Sequence, residues 1–218
     1  VWLNGTSTKT SLIGGSGADV FYAATTSSLD SLFGSVGGDS FTMKGNVTRS
    51  SIEGGAGDDT LIFAGTLQTA SVMGGSGNDS VSLGGTAISS TLYGGSGNDT
   101  FFINTLSNSY VSGDLGVDSI NISGALINSE VDFQSGDEQF TLSVDGTSST
   151  VMGGDGNDTL IFSSTLTSSS VVGGSGNDLI SFAYDVGVSN TIDAGSENDT
   201  LIFSSTVSAA SVIGGDGA

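Results

Sequence analysis

Apolar residues in this chain fall into columns that recur about every 20 residues, a period that signals a solenoid or repeat array. Each repeat can be counted from the first glycine of a glycine-rich loop, Gly74 in one copy. Position 8 then reads Phe21, Phe41, Leu61, Val81, Phe101, Ile120, Phe140, Leu160, Ile180 and Leu201. Position 10 reads Ala23, Met43, Phe63, Leu83, Ile103, Ile122, Leu142, Phe162, Phe182 and Phe203. Residues two apart in a strand share a face, so these columns predict one buried strand face. Position 7 is mostly Ser or Thr, as at Thr60, Thr100, Thr159 and Thr200, and points outward. A further column, just ahead of each loop, predicts a second strand: Leu12, Leu32, Ile52, Val72, Leu92, Val111, Val131, Val151, Val171, Ile192 and Val212. Between the two strands lies a Ser/Thr/Gly/Asn turn such as residues 163–169, where single apolar residues (Leu67, Leu106, Leu126, Leu166) plug the core.

The pattern predicts an all-β chain: a parallel β-solenoid, β-roll-like, of about ten coils with two short strands in each. Residues 1–218 read as one such unit, and as a piece of a longer protein, since the sequence starts inside one repeat and stops inside another. Strands stacked in register about 4.8 Å apart make a rod of roughly 50 Å. Its core is too narrow for a coil to fold alone. Positions 9 and 20 face outward yet are often apolar, as at Tyr22, Ile62, Phe102, Phe33, Met73 and Tyr93. Scattered surface hydrophobes need no explanation, but stacked columns of them also suit lateral packing against another chain.

Composition sharpens this picture. There are 23 acids against three bases, a net charge of −20, and the bases Lys9, Lys44 and Arg49 all lie near the start. Such a surface repels nucleic acid and anionic membranes and attracts cations. No apolar run reaches the ~20 residues needed to span a bilayer, so no membrane insertion is expected. The absence of Cys leaves the redox compartment open. With neither His nor Cys, Ser nucleophiles lack an imidazole base and zinc lacks its preferred ligands. The carboxylates recur in like settings, whereas an acid–base pair needs two distinct ones. The chain is expected not to be an enzyme.

The chemistry lies in the loops. Gly74-Gly75-Ser76-Gly77-Asn78-Asp79 recurs at residues 94–99 and 173–178, with close copies at 14–19, 54–59 and 153–158. The closing acids are Asp19, Asp39, Asp59, Asp79, Asp99, Asp118, Glu138, Asp158, Asp178 and Asp199. Stacked bends of this kind leave gaps lined by oxygens of two successive coils. A hard cation that takes ~6–8 oxygen ligands, calcium above all, suits such a gap better than magnesium. One calcium in each of nine gaps would reduce the net −20 to about −2. The competing reading is an Asx-type turn in which each Asp bonds its own backbone.

The loops resemble the haemolysin-type calcium-binding repeats of RTX proteins, Gly-Gly-x-Gly-x-Asp-x-U-x, with position 8 as the large apolar U. Residues 74–83, 94–103 and 153–162 match well. The resemblance implies metal ligands from the carboxylates of Asp19, Asp39, Asp59, Asp79, Asp99, Asp118, Asp158, Asp178 and Asp199. It adds loop carbonyls of Gly14, Ser16, Gly54, Ala56, Gly74, Ser76, Gly94, Ser96, Gly153, Asp155, Gly173 and Ser175. The family's β-roll carries two motifs per coil and calcium on both edges. This chain carries one, so calcium (Ca2+) is expected along one edge only. The loops at 34–39, 113–118, 133–138 and 194–199 depart from the motif, and binding is not expected at the loop closed by Glu138.

These readings point to a calcium-stabilised structural segment of a secreted bacterial cell-surface protein: an S-layer, filament or adhesin stalk. It would pack laterally or end to end with copies of itself or other surface proteins. By similarity to RTX proteins, export would be by type I secretion, unfolded in the low-calcium cytoplasm. One alternative is the calcium-dependent folding and secretion domain of a toxin or enzyme. Another is an ice-binding solenoid, which would need a regular Thr column that Val20, Gln139 and Leu179 interrupt.

Overall fold

The computed structural model describes residues 1–217. Ala218 lies outside them. Every coil returns to its starting point and pairs in parallel with the coil before and after it, as in Leu61↔Phe41 and Leu61↔Val81. The long strands ahead of the loops, from Ser11–Ser16 to Ser211–Ile213, form an eleven-stranded sheet in sequence order. The position 7–10 strands, such as Thr60–Phe63, line the opposite side.

Most coils hold one more strand than the two expected, and around Val186 and Val207 it shrinks to single-residue bridges. The polar turn contains a two-residue strand, such as Leu67–Gln68, that pairs with its counterparts above and below. In two coils, Ser80–Ile88 and Thr100–Ser107, it fuses with the position 7–10 strand, which joins both rows into one 18-stranded sheet. Short side chains and a tight coil let this turn hydrogen-bond as a strand although its composition reads as a loop.

The apolar columns are the core. Phe41, Leu61, Val72, Leu92, Phe101 and Val111 are fully buried, and the plug residues Leu67, Leu106 and Leu126 close the third row. In-register stacking places like on like: the rings of Phe21 and Phe41 stack at 4.4 Å, and those of Phe162 and Phe182 at 4.9 Å. Position 20 faces out, with Phe33 and Met73 exposed.

The two corners differ. At the loop corner, glycines take the left-handed backbone, as at Gly75 and Gly77 with φ of 126° and 127°. At the opposite corner one residue per coil does so without being glycine, including Leu29, Arg49 and Thr69, with φ between 51° and 57°.

A candidate metal edge

The six residues of each loop split between two structural elements. Positions 1 to 3 finish the long strand, as in Ser71–Ser76, and the last three turn the corner. Regular pairing skips position 1: Met73 pairs with Tyr93 and Gly75 with Gly95, while Gly74 is passed over. The acid at position 6 then folds inward. Asp39, Asp59, Asp79, Asp99, Asp118, Asp158 and Asp178 are buried, while Asp19 and Asp199 at the two ends are partly so.

One oxygen of each carboxylate has a fixed task. The Asp59 N–H donates to Asp79 Oδ1 at 2.7 Å, the Asp79 N–H to Asp99 Oδ1 at 2.7 Å, and the Asp158 N–H to Asp178 Oδ1 at 2.8 Å. This ladder runs unbroken from Asp19 to Asp199. It ties each coil to the next, which an Asx turn closed on its own backbone would not do.

The other oxygen has none. Oδ2 of all nine aspartates, and Oε1 of Glu138, are shut from solvent without a hydrogen-bond partner among the described residues. A buried carboxylate oxygen left unpaired costs several kcal/mol by general estimates. Burial pushes seven of these carboxyls up: Asp59, Asp99, Asp118, Asp158 and Asp178 to about 6, Asp79 to about 7 and Glu138 to about 8. The ladder N–H opposes the rise, and the negative charge of neighbouring coils adds to it.

The position 1 glycine makes room for this oxygen. A Cβ on Gly74 would collide with Asp79 Oδ2 and would lie 2.7 Å from the Gly94 carbonyl oxygen of the next coil. The same pair of oxygens, the loop's own Asp and the next coil's position 1 carbonyl, converges at Gly14, Gly34, Gly54, Gly94, Gly153 and Gly173. That makes seven such cradles among the described residues. No three acidic side chains among those residues gather as a side-chain metal centre. Each of these bends offers one buried, unpaired carboxylate oxygen, and in the seven cradles the next coil's position 1 carbonyl oxygen stands beside it. Hard oxygens and a buried, unpaired carboxylate in each of these bends fit calcium.

The expected ligand residues thus fall into distinct settings. The position 1 residues Gly14, Gly54, Gly74, Gly94, Gly153 and Gly173 line the cradles. The position 3 carbonyls already accept one N–H from the preceding coil. Gly57 donates to Ser76 and Gly77 to Ser96 at 2.7 and 2.8 Å, and Gly37 to Ala56 and Gly136 to Asp155 at 2.7 and 2.8 Å. Ser175 accepts likewise from Gly156 at 2.7 Å. Ser16 closes its strand with an exposed side chain.

The irregular loops differ from one another. At 34–39, Ser35 adopts the left-handed backbone at φ 88° and the cradle survives at Gly34. At 113–118, Gly113 still faces Asp118 Oδ2, but the next coil's carbonyl stands farther off than in the seven cradles. At 133–138, buried Phe133 fills the position where all but one of the other loops have glycine. The longer Glu138 still accepts the Asp118 N–H at 2.8 Å, so the ladder passes through a coil that lacks a cradle. At 194–199, Ala194 sets a methyl group where the others have none, in the loop closed by Asp199. Phe133 therefore divides the cradles into a run of five and a run of two.

Sequence reasoning missed a second ladder on the outer side of the same corner. The Asn98 N–H donates to Asn78 Oδ1 at 2.8 Å and the Asn177 N–H to Asn157 Oδ1 at 3.0 Å, opposite in direction to the inner one. The recurrent Asn at position 5 was its visible trace.

A sequence model of the RTX calcium-binding nonapeptide repeat matches four stretches, residues 4–25, 42–65, 89–102 and 145–162. Each spans one bend, closed by Asp19, Asp59, Asp99 or Asp158. No curated protein matches the sequence significantly. Among solved structures, the chain is similar to a hyperactive, Ca2+-dependent, β-helical antifreeze protein from an Antarctic bacterium, with a TM-score of 0.61 and 20% identity, covering 91% of this chain and 80% of that one. At that identity the likeness concerns the fold. The inward carboxylates and glycine cradles described above are thus set in a parallel β-solenoid that carries the RTX calcium-binding nonapeptide repeat in four matched copies.

Proposed function

We propose that this chain is a calcium-stabilised structural segment of a secreted bacterial surface protein, a stalk or layer element without catalysis of its own. The observation behind this reading is the file of buried carboxylates, each with one oxygen tied to a backbone N–H and one without a partner. Calcium bound in the cradles would supply positive charge and oxygen coordination there. The proposed holders are the Asp carboxylates with position 1 carbonyls of the following coil, as at Asp79 and Gly94. The Asp N–H ladder orients each carboxylate, and the absent Cβ at position 1 lets it lie inward. Without the cation, inward charges in successive coils repel and the narrow core does not compensate. Extracellular calcium then decides where the rod is stiff, which suits a surface protein exported unfolded. Lateral or end-to-end packing would use the exposed apolar residues of positions 9 and 20, such as Phe33, Met73 and Phe102.

The ice-binding reading draws on the antifreeze neighbour for fold only. Its expected flat Thr file at position 7 is broken by Val20, Gln139 and Leu179.

Circular dichroism of the chain under calcium titration tests the proposal. Strand content should rise reversibly at sub-millimolar to millimolar calcium and fall on chelation. Strand content indifferent to chelator would refute it.

A further inference from the structure

The edge opposite the cradles has its own column, at the last residue of each polar turn: Thr10, Asp30, Ser50, Ala70, Ser90, Ser109, Ser129, Ser149, Ser169 and Asn190. The serines make a neutral ladder. The Ser129 N–H donates to Ser149 Oγ at 3.2 Å, and the Ser149 hydroxyl donates onward to the Thr147 carbonyl at 2.9 Å. Each hydroxyl thus accepts from one coil and donates within its own. Ahead of this column stand the apolar plugs Val47, Leu67, Ala87 and Leu106.

The first two coils break both patterns together. Asp30 replaces the ladder serine, and Ser7 and Ser27 replace the apolar plug; all three are buried. Asp30 Oδ1 accepts the Thr10 N–H at 2.8 Å, which keeps the ladder. Asp30 Oδ2 and Ser27 Oγ are both shut from solvent with no hydrogen-bond partner among the described residues. An ionised carboxylate has no proton to pass to the carbonyl two residues earlier, as every ladder serine does. Ser7 Oγ donates to Thr10 Oγ1 at 2.9 Å, which places a pair of hydroxyl oxygens in the adjoining coil. Lys9 and Arg49, in the coils on either side, have exposed side chains and leave Asp30 Oδ2 unpaired.

We propose that Asp30, Ser27, Ser7 and Thr10 form a single calcium site on the serine edge, separate from the file of cradles. A buried polar group persists only when paired. Two unpaired oxygens in one turn, one of them on a carboxylate, leave a cation as the partner this edge lacks. The site would pin the first two coils at the corner where they have no apolar plug.

The neighbouring coil supplies the control. The S27V/D30S double variant recreates its Val47 and Ser50, and D30S alone restores the ladder serine; both substitutions are already accepted elsewhere in these columns. Equilibrium dialysis against calcium, with the metal counted by mass spectrometry, compares the variants with the wild type while circular dichroism follows strand content. The site predicts one fewer ion per chain in both variants, with strand content and the remaining ions unchanged. An unchanged count means that water or a proton serves Asp30 and overturns the inference alone. Loss of several ions overturns it as a separate site. A wild-type chain that binds no calcium overturns it together with the cradle proposal.

Discussion

At one corner of each coil the Asp79 N–H donates to Asp99 Oδ1 at 2.7 Å; at the other the Ser90 N–H donates to Ser109 Oγ at 3.1 Å. Both corners join successive coils by a side-chain oxygen that accepts a backbone N–H. A serine hydroxyl brings one proton and returns it to a backbone carbonyl, so this edge is neutral and satisfied wherever the column holds serine. A carboxylate brings a second oxygen and a charge instead, and among the described residues that oxygen stays unpaired at all ten closing acids. Identical backbone stacking therefore yields one edge that is complete in itself wherever serine fills the column, and one that leaves a carboxylate oxygen in need of a cation at loop after loop. The glycine at position 1 belongs with the carboxylate edge for the same reason: it vacates the space the second oxygen occupies.

The comparison can be broken first by pH, where Asp59, Asp79, Asp99, Asp118, Asp158 and Asp178 act together. Their folded pKa values lie above the ordinary 3.8, at about 6 for Asp59 and about 7 for Asp79, so the unfolded chain loses its protons first as pH rises. Stability without calcium is then fully present below about pH 4 and declines as pH climbs through the folded values. In chelator, strand content should be greatest near pH 4 and lost towards pH 7. With calcium the trend should reverse, because the cation needs the ionised carboxylate. Strand content that stays flat with pH in chelator would mean the carboxylates already have partners.

The next effect comes from moving the acid to the wrong edge. Ser90→Asp buries a charge where no glycine cradle exists. It should destabilise the rod by about 3–5 kcal/mol, in calcium and in chelator alike, by denaturant unfolding. Smaller but more specific is Asp79→Asn, which keeps the acceptor for the Asp59 N–H and removes the charge. We expect it to stabilise the chain in chelator and destabilise it in calcium, by about 1–3 kcal/mol each way. A change of the same sign in both conditions would show that the carboxylate is only a ladder acceptor.

Much of this was legible in the sequence because stacking turns chemistry into columns. The position 8 and 10 residues and the inward Asp file need only a 20-residue ruler to find. The serine ladder is equally periodic, yet a serine such as Ser50 or Ser90 reads the same in a polar turn whether it caps, bonds or faces water. One residue earlier, Arg49 belongs to the left-handed corner with Leu29 and Thr69, a column invisible in the sequence because its residues share no backbone preference. Phe133 and Glu138 read as simple loss of the motif. Only the packing shows that the ring fills the vacated space while the longer acid keeps the ladder intact.

The most direct measurement is a calcium-loaded crystal structure with an anomalous difference map at a wavelength sensitive to calcium. The account predicts peaks between successive coils beside Asp19, Asp39, Asp59, Asp79, Asp99, Asp158 and Asp178, where the glycine cradles lie, and no peak beside Phe133. Cradles that hold only water in saturating calcium would contradict it.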